Sequence, residues 1–95
     1  MKPMTEFDNL RIAVIGLGYV GLPLAIEFGK QFSTAGFDIK PGRIAEIRDG
    51  RDSTREVSPE EFDAADQLTV TSDTSDLAGC NFYVVTVPSG RIWRR

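Results

Sequence analysis

The 95-residue sequence predicts an α/β protein built on a parallel, doubly wound sheet. Two observations favour this class. Short apolar runs that stop at glycine or proline alternate with segments whose apolar residues recur at helical spacing. The first such run lacks the period of two that marks a half-exposed strand, so we expect it to be buried on both faces. Alternation of this kind implies right-handed crossovers and about four strands in the order 3-2-1-4.

The first predicted strand, residues 11–15, is nearly all apolar, rich in β-branched side chains and stopped by Gly16. A helix is predicted from residue 19 to about residue 32, because apolar side chains recur there at every fourth position. Pro23 lies early in this helix, where the amide groups of the first turn have no intrahelical acceptor to lose.

The remaining predicted elements follow from breakers and caps. Proline at a first helical position and serine before it favour helix starts, and glycine favours a helix end. In order, the predicted elements are a strand over 34–39, a helix from Pro41 to Gly50, a helix beginning at Ser58, a strand over 68–71, a short turn over 73–79 and a strand over 81–87 closed by Pro88. The last seven residues match no element.

Composition and charge exclude several function classes. The formal net charge of −3 argues against a nucleic-acid partner, since the phosphate backbone favours Lys and Arg. No apolar run is long enough for a membrane span, and the start lacks the apolar region of a signal peptide. With a single cysteine, the default expectation is a cytoplasmic location. The absence of histidine excludes a Ser-His-Asp or Cys-His centre in these 95 residues.

A glycine pattern follows the first strand directly and opens the first helix, which is the context that a dinucleotide-binding loop requires. Gly16 is expected to make the tight turn, Gly18 to let a pyrophosphate approach backbone amides, and Gly21 to let the helix pack closely. The alternative is a glycine-rich turn without a ligand. Together with the predicted strand order, this glycine pattern predicts a partial Rossmann domain.

Asp38 is the second mark of such a site, 20 residues after Gly18 at the end of the second strand. A carboxylate there accepts hydrogen bonds from the adenosine ribose and repels a 2′-phosphate, so NAD is favoured over NADP as the cofactor. An exposed turn aspartate is the alternative. Lys40 and Arg43 lie nearby and would soften this preference. For Arg43, contact with the ribose or a phosphate and a surface ion pair with Glu46 or Asp49 stay equally open.

Thr86, Val87 and Pro88, at the end of the fourth strand, are three further candidates. They lie beside the switch point, the place between strands 1 and 4 where the strand order reverses and ligands bind. A plain strand end and turn is an equally good interpretation. Cys80 lies at the opposite end of that strand and is interpreted as a packing residue rather than a nucleophile. No carboxylate spacing suggests a metal site. The predicted cofactor-binding residues are Gly16, Leu17, Gly18, Tyr19, Val20, Gly21, Asp38, Arg43, Thr86, Val87 and Pro88.

With the loop, the aspartate and the fourth strand in place, the chain resembles the UDP-glucose/GDP-mannose dehydrogenase family. The pattern G-x-G-Y-V-G-L is far more specific than bare glycines. Residues 27–30 and 80–83 are most similar to the branch that oxidises UDP-N-acetylhexosamines for surface polysaccharides. The matching segments are residues 12–25 (IAVIGLGYVGLPLA), 36–39 (GFDI) and 85–88 (VTVP).

The resemblance implies an enzyme that oxidises C6 of a nucleotide-linked sugar to a carboxylate in two NAD-dependent steps. A catalytic cysteine forms the covalent intermediates in such enzymes, assisted by a lysine and an acidic residue. Those residues belong to later parts of the family's chain, so no catalytic residue is assigned here and Cys80 is not given the role. We expect this chain to bind NAD, and expect a UDP-sugar and the usual dimer contacts only in a full-length enzyme.

After Pro88 the sequence departs from the family's pattern. We expect residues 1–9 to be a loose leader, residues 10–88 to be the N-terminal part of an NAD-binding domain, and residues 89–95 to be a tail foreign to the family. A truncated gene product explains this best; it would leave one edge of the fourth strand unpaired, an aggregation liability, and would have no dehydrogenase activity. A standalone dinucleotide-binding regulatory module and a remnant without a ligand are the alternatives.

Overall fold

The fold rests on a five-stranded sheet in the computed structural model, which describes residues 9–51 and 57–86 and the backbone of residues 92–94. In chain order the strands are β1 (Arg11–Ile15), β2 (Ser33–Phe37), β3 (Leu68–Thr71), β4 (Phe82–Thr86) and β5 (Ile92–Arg94). They lie in the order β3-β2-β1-β4-β5, and the first four are parallel. The predicted fold class and the order 3-2-1-4 are therefore confirmed.

The fifth strand corrects two expectations. β5 pairs antiparallel with β4, with Arg94 opposite Val84 and Ile92 opposite Thr86. The predictions that the last seven residues match no element and that the outer edge of β4 is unpaired were therefore wrong. An antiparallel return needs only a short connection, whereas a further parallel strand needs a crossover of a dozen residues or more. Of the predicted leader, residues 1–9, only Asn9 is among the described residues, and the proposed domain limits stay predictions.

The helices are α1 (Gly21–Gly29), α2 (Pro41–Arg48) and α3 (Pro59–Ala64), and Thr74–Leu77 forms a 3₁₀ turn. α1 is shorter than predicted because residues 16–20 form the loop that leaves β1, and the chain re-enters the sheet at Ser33. α2 ends as predicted before Gly50, whose φ of 74° lies in the left-handed region that favours glycine.

The main core lies between the helices and one face of the sheet. Ile12 and Val14 of β1 point into it, and both are at most 1% exposed. Its other buried members are Leu17, Leu22, Ala25, Ile26, Ile44, Ile47, Val57 and Ala65. A smaller cluster of Ala13, Ala35 and Leu77 lies on the opposite face, so β1 is buried on both sides as predicted. No helix in the described ranges is long and apolar enough to cross a membrane.

Candidate functional site

The turn out of β1 is tied to both neighbouring strands. The Gly16 amide donates to the Phe37 carbonyl of β2 at 2.7 Å, and the Thr86 hydroxyl of β4 donates to the Gly16 carbonyl at 2.9 Å. Gly16 has a φ of 97°, and a Cβ there would lie 2.6 Å from the Thr86 Oγ1. Both the positive φ and the lack of room for a Cβ require glycine at this position. The structure therefore holds the first turn of the loop at the boundary between β1 and β4.

The other two glycines of the loop have opposite surroundings. A Cβ on Gly21 would lie 1.7 Å from the Gly16 carbonyl oxygen, so the first turn of α1 packs directly on the turn out of β1. A Cβ on Gly18 would meet nothing within 4 Å. Gly21 is thus needed by the protein itself. Gly18 faces open space, which leaves its backbone accessible to a ligand.

The N-terminus of α1 carries amide donors that the described part of the protein does not use. Its N-cap residue, Val20, provides no side-chain hydrogen bond, and its first turn holds no acidic residue. Among residues 9–51 and 57–86, the N–H groups of residues 18–21 have no acceptor. Consecutive free amides at the positive end of a helix form a site for an anion such as a pyrophosphate.

Asp38 follows β2 directly and contacts the loop. One carboxylate oxygen accepts the Leu17 amide at 2.9 Å, and the other accepts the Lys40 amide at 3.0 Å. These two bonds fix the orientation of the carboxylate beside the loop. Each oxygen of an ionised carboxylate has two acceptor positions, so Asp38 can also accept hydrogen bonds from the two hydroxyls of a ribose.

Arg43, on α2, makes the ion pair with Glu46 that the sequence had left as one of two possibilities. Its Nη1 lies 3.0 Å from the Glu46 Oε1, and its Nε donates to the Leu17 carbonyl at 2.6 Å. The Arg43 side chain is 11% exposed, so this pair is no ordinary surface ion pair. Asp49 instead pairs with Arg51 at 3.1 Å. Arg43 also lines a cleft together with the loop and Asp38, so the ion pair does not exclude a contact with a ligand.

The loop, Asp38 and α2 enclose a cleft of about 410 Å³ at the carboxyl ends of β1, β2 and β4. This lies within the range of about 300–1,000 Å³ that is usual for small-molecule sites. The cleft contains every predicted site residue that the structure describes; Val87 and Pro88 lie outside the described residues. Its lining residues are Gly16, Leu17, Gly18, Tyr19, Val20, Gly21, Asp38, Lys40, Arg43 and Thr86.

Two features of the cleft were not identified as site residues from the sequence. Lys40 lines it, although from the sequence this residue was expected only to soften the preference for NAD from a place near Asp38. Its position two residues after Asp38, just before the helix that Pro41 opens, was the available signal. Glu46 lies behind Arg43, and its partnership could be named only as one of two options. The i,i+3 spacing on α2 was the available signal for this pair, and only the contact of Arg43 with the loop depends on tertiary packing.

Cys80 lies at the amino end of β4, away from the cleft, and packs on the small cluster of Ala13, Ala35 and Leu77. Burial raises the pKa of its thiol, and the opposing effect of Arg11 is smaller. A raised pKa keeps the thiol protonated and a poor nucleophile at neutral pH. In the described ranges, no group of three or more Cys, Asp or Glu residues could hold a metal ion.

Comparisons with known proteins agree with this geometry. The family model described as "UDP-glucose/GDP-mannose dehydrogenase family, NAD binding domain" matches residues 10–91. Over 81 residues the chain is 56% identical to a UDP-N-acetyl-D-glucosamine 6-dehydrogenase of Pseudomonas aeruginosa, covering 85% of this chain and 19% of that protein. Over 86 residues it is 48% identical to a UDP-N-acetyl-D-glucosamine 6-dehydrogenase of Salmonella typhi, covering 90% and 20%.

A solved structure shows the same fold. The chain superposes on a UDP-D-ManNAc dehydrogenase from Pyrococcus horikoshii with a TM-score of 0.73 and 36% identity, over 82% of this chain and 20% of that one. The chain therefore spans about a fifth of the length of the relatives that it matches.

Proposed function

Because this chain belongs to the UDP-glucose/GDP-mannose dehydrogenase family, whose NAD-binding domain it carries, we propose that its cleft holds the adenosine and pyrophosphate part of NAD. The pyrophosphate lies over Gly18 and takes hydrogen bonds from the N-terminus of α1. The adenosine ribose lies on Asp38. The observation that carries this proposal is the run of four consecutive amides, residues 18–21, without an acceptor in the described part of the protein.

Asp38 sets the choice between NAD and NADP in this proposal. Its carboxylate faces the cleft and is fixed by two backbone amides. A 2′-phosphate on the adenosine ribose would place negative charge beside that carboxylate in a partly buried site, where repulsion is stronger than in water. The positive charge of Arg43 is already offset by Glu46 at 3.0 Å, which leaves the exposed Lys40 as the opposing influence.

At the switch point, Thr86 closes the cleft from the side of β4. Its hydroxyl donates to the Gly16 carbonyl, so it supports the first turn of the loop. Val87 and Pro88 continue from it, and we propose that they border the dinucleotide. The ligand of an open α/β sheet lies at the carboxyl ends of the strands where the order reverses, which here is between β1 and β4.

For the whole protein we propose nucleotide-sugar 6-dehydrogenase activity in polysaccharide biosynthesis, since UDP-N-acetyl-D-glucosamine 6-dehydrogenases are among the most similar relatives. Bound NAD would accept hydride from the sugar. The cysteine and lysine that the family uses have no counterpart among these 95 residues. We therefore propose that this chain alone shows no dehydrogenase activity and that NADH does not form from any UDP-sugar. A cytoplasmic location belongs to the same proposal.

Calorimetric titration of the 95-residue protein with NAD and NADP tests the binding proposal. We expect NAD to bind more tightly than NADP, and Asp38→Asn to weaken NAD binding and reduce that preference. Asparagine keeps one acceptor oxygen for a backbone amide, so this variant tests charge with less damage to the loop than Asp38→Ala. Asp63→Asn, an exposed site on α3, makes the same charge change away from the cleft and serves as the control. A folded protein that binds neither cofactor would refute the proposal.

A further inference from the structure

The backbone of Leu17 is held on both sides by side chains from one short segment. Its amide donates to Asp38 at 2.9 Å, and its carbonyl accepts from the Arg43 Nε at 2.6 Å. Asp38 and Arg43 lie just after β2 and in the first turn of α2. The Leu17 side chain is fully buried in the main core, so packing holds this residue as well.

Fixing the Leu17 carbonyl also fixes the next amide. The peptide that joins Leu17 to Gly18 is trans, so its C=O and its N–H point in opposite directions. Because Arg43 holds the carbonyl, the Gly18 N–H points away from Arg43. This amide is the first of the four donors without an acceptor in the described ranges. Gly18 has no side chain to restrict its rotation, so an external restraint is needed to keep that donor in one direction.

Glu46 holds the Arg43 side chain in place. The two side chains are 11% and 20% exposed, whereas the Arg51–Asp49 pair is 67% and 64% exposed. A mostly buried, directional pair restricts the guanidinium much more than an exposed pair does. Arginine suits this task because its planar group donates from Nε and Nη1 at fixed angles, here to Leu17 and to Glu46.

We propose that Arg43 is a positioning residue that orients the Leu17–Gly18 peptide of the phosphate-binding loop, with Glu46 as its support. For the identity of the ligand this inference rests on the proposed function. Arg43 acts through the loop backbone rather than through its charge. Lysine at position 43 would keep the charge but could not donate along both directions from a planar group.

The first test uses the free 95-residue protein and ¹⁵N NMR. In Arg43→Gln we expect the Gly18 amide resonance to move and its hydrogen exchange to accelerate, because the peptide is no longer held. Glu46→Gln should move the same resonance in the same direction by a smaller amount. Arg51→Gln removes a cation from an exposed pair nearby and should leave Gly18 unchanged. An unmoved Gly18 amide in both Arg43→Gln and Glu46→Gln would overturn the proposal.

The second test is titration with NAD. We expect Arg43→Gln and Arg43→Lys to raise the Kd about tenfold and Glu46→Gln about threefold. Glu27→Gln, which breaks the exposed pair with Lys30, should leave the Kd within about twofold. Normal affinity in Arg43→Lys would show that Arg43 acts by charge on the ligand, and it too would overturn the proposal. If the unmodified protein binds no NAD, the proposed function fails while the NMR test still decides the role of Arg43.

Discussion

The helices α1 and α3 begin in opposite ways. At α3, Ser58 forms a capping box: its hydroxyl accepts the Glu61 amide at 3.3 Å, and the Glu61 carboxylate accepts the Ser58 amide at 3.1 Å. Glu60 and Glu61 also place negative charge in the first turn. At α1, the N-cap residue Val20 makes no side-chain hydrogen bond, and the first turn holds no acidic residue. α3 thus caps amides at its start with its own side chains, whereas α1 leaves them for a ligand.

The two helices differ because they are stabilised differently. α3 has six residues, none of them fully buried and only Phe62 packed against the core, so its stability depends more on its ends. α1 has nine residues, and five of them are buried, among them Leu22 and Ile26, each at most 1% exposed. Burial of two large side chains contributes several kcal/mol, roughly 1.5–3 kcal/mol each, which exceeds the 0.5–2 kcal/mol of a typical cap. A helix with this much buried surface can leave its N-terminus open.

The largest effect is expected from Gly21→Ala, which tests whether α1 tolerates any addition at its start. The new methyl group would lie 1.7 Å from the Gly16 carbonyl oxygen, a backbone atom that cannot move without displacing the loop. We expect a loss of more than about 3 kcal/mol in the free energy of unfolding, at or beyond the upper end of ordinary overpacking. Urea denaturation followed by circular dichroism measures it.

Gly18→Ala is the matched control in the same loop. A Cβ there meets nothing within 4 Å, and the φ of Gly18 lies outside the left-handed region. The free energy of unfolding should change by less than about 1 kcal/mol. NAD binding should nevertheless weaken, because the methyl group occupies the space through which the pyrophosphate approaches. Equal stability losses in the two variants would contradict the division of roles between Gly18 and Gly21.

A second prediction gives α1 the negative charge that α3 has. In Val20→Asp, a carboxylate at the start of the helix interacts favourably with its dipole by about 0.3–1 kcal/mol. The same charge repels a pyrophosphate, and two unit charges 4 Å apart near a protein surface interact by about 4 kcal/mol. We expect the Kd for NAD, measured by calorimetry, to rise more than about tenfold, which corresponds to 1.4 kcal/mol. The fold should remain stable.

Val20→Asn separates charge from shape in that experiment, because asparagine matches aspartate in size and is neutral. Its affinity for NAD should stay much closer to that of the unmodified protein, and the difference between the two variants should shrink at high salt. A Val20→Asp protein that binds NAD normally would mean that the amides at the start of α1 are not the pyrophosphate site.

The sequence predicted the start of α1 because the restrictions there are local. Gly16 needs a positive φ and Gly21 needs close packing, and both needs act within six residues of chain. Strand order was also predictable, since short crossovers of one hand leave few topologies. The capping box of α3 was visible in part, as a Ser-Pro start followed by two acids.

Other features could not be predicted because they depend on tertiary placement. β5 has only three residues, too few for a periodic pattern, and its pairing with β4 is fixed by the neighbouring edge rather than by its own sequence. The sequence offered Arg43 either a ligand or a carboxylate partner. The structure gives it Glu46, a neighbour on the same helix, and also the Leu17 carbonyl and a place in the cleft, because α2 packs its first turn against the loop.

The smallest effect is expected from removing the cap of α3 by Ser58→Ala. The change deletes the acceptor for the Glu61 amide and breaks the reciprocal arrangement of the capping box. Such changes cost about 0.5–2 kcal/mol, typically about 1 kcal/mol, and urea denaturation should show this loss with an unchanged slope. Ser58→Thr keeps a capping hydroxyl and should retain most of the stability. NAD affinity should stay the same in both variants, since α3 contributes no residue to the cleft. A weaker affinity in Ser58→Ala would mean that the two helix starts are coupled and do not divide stability and binding between them.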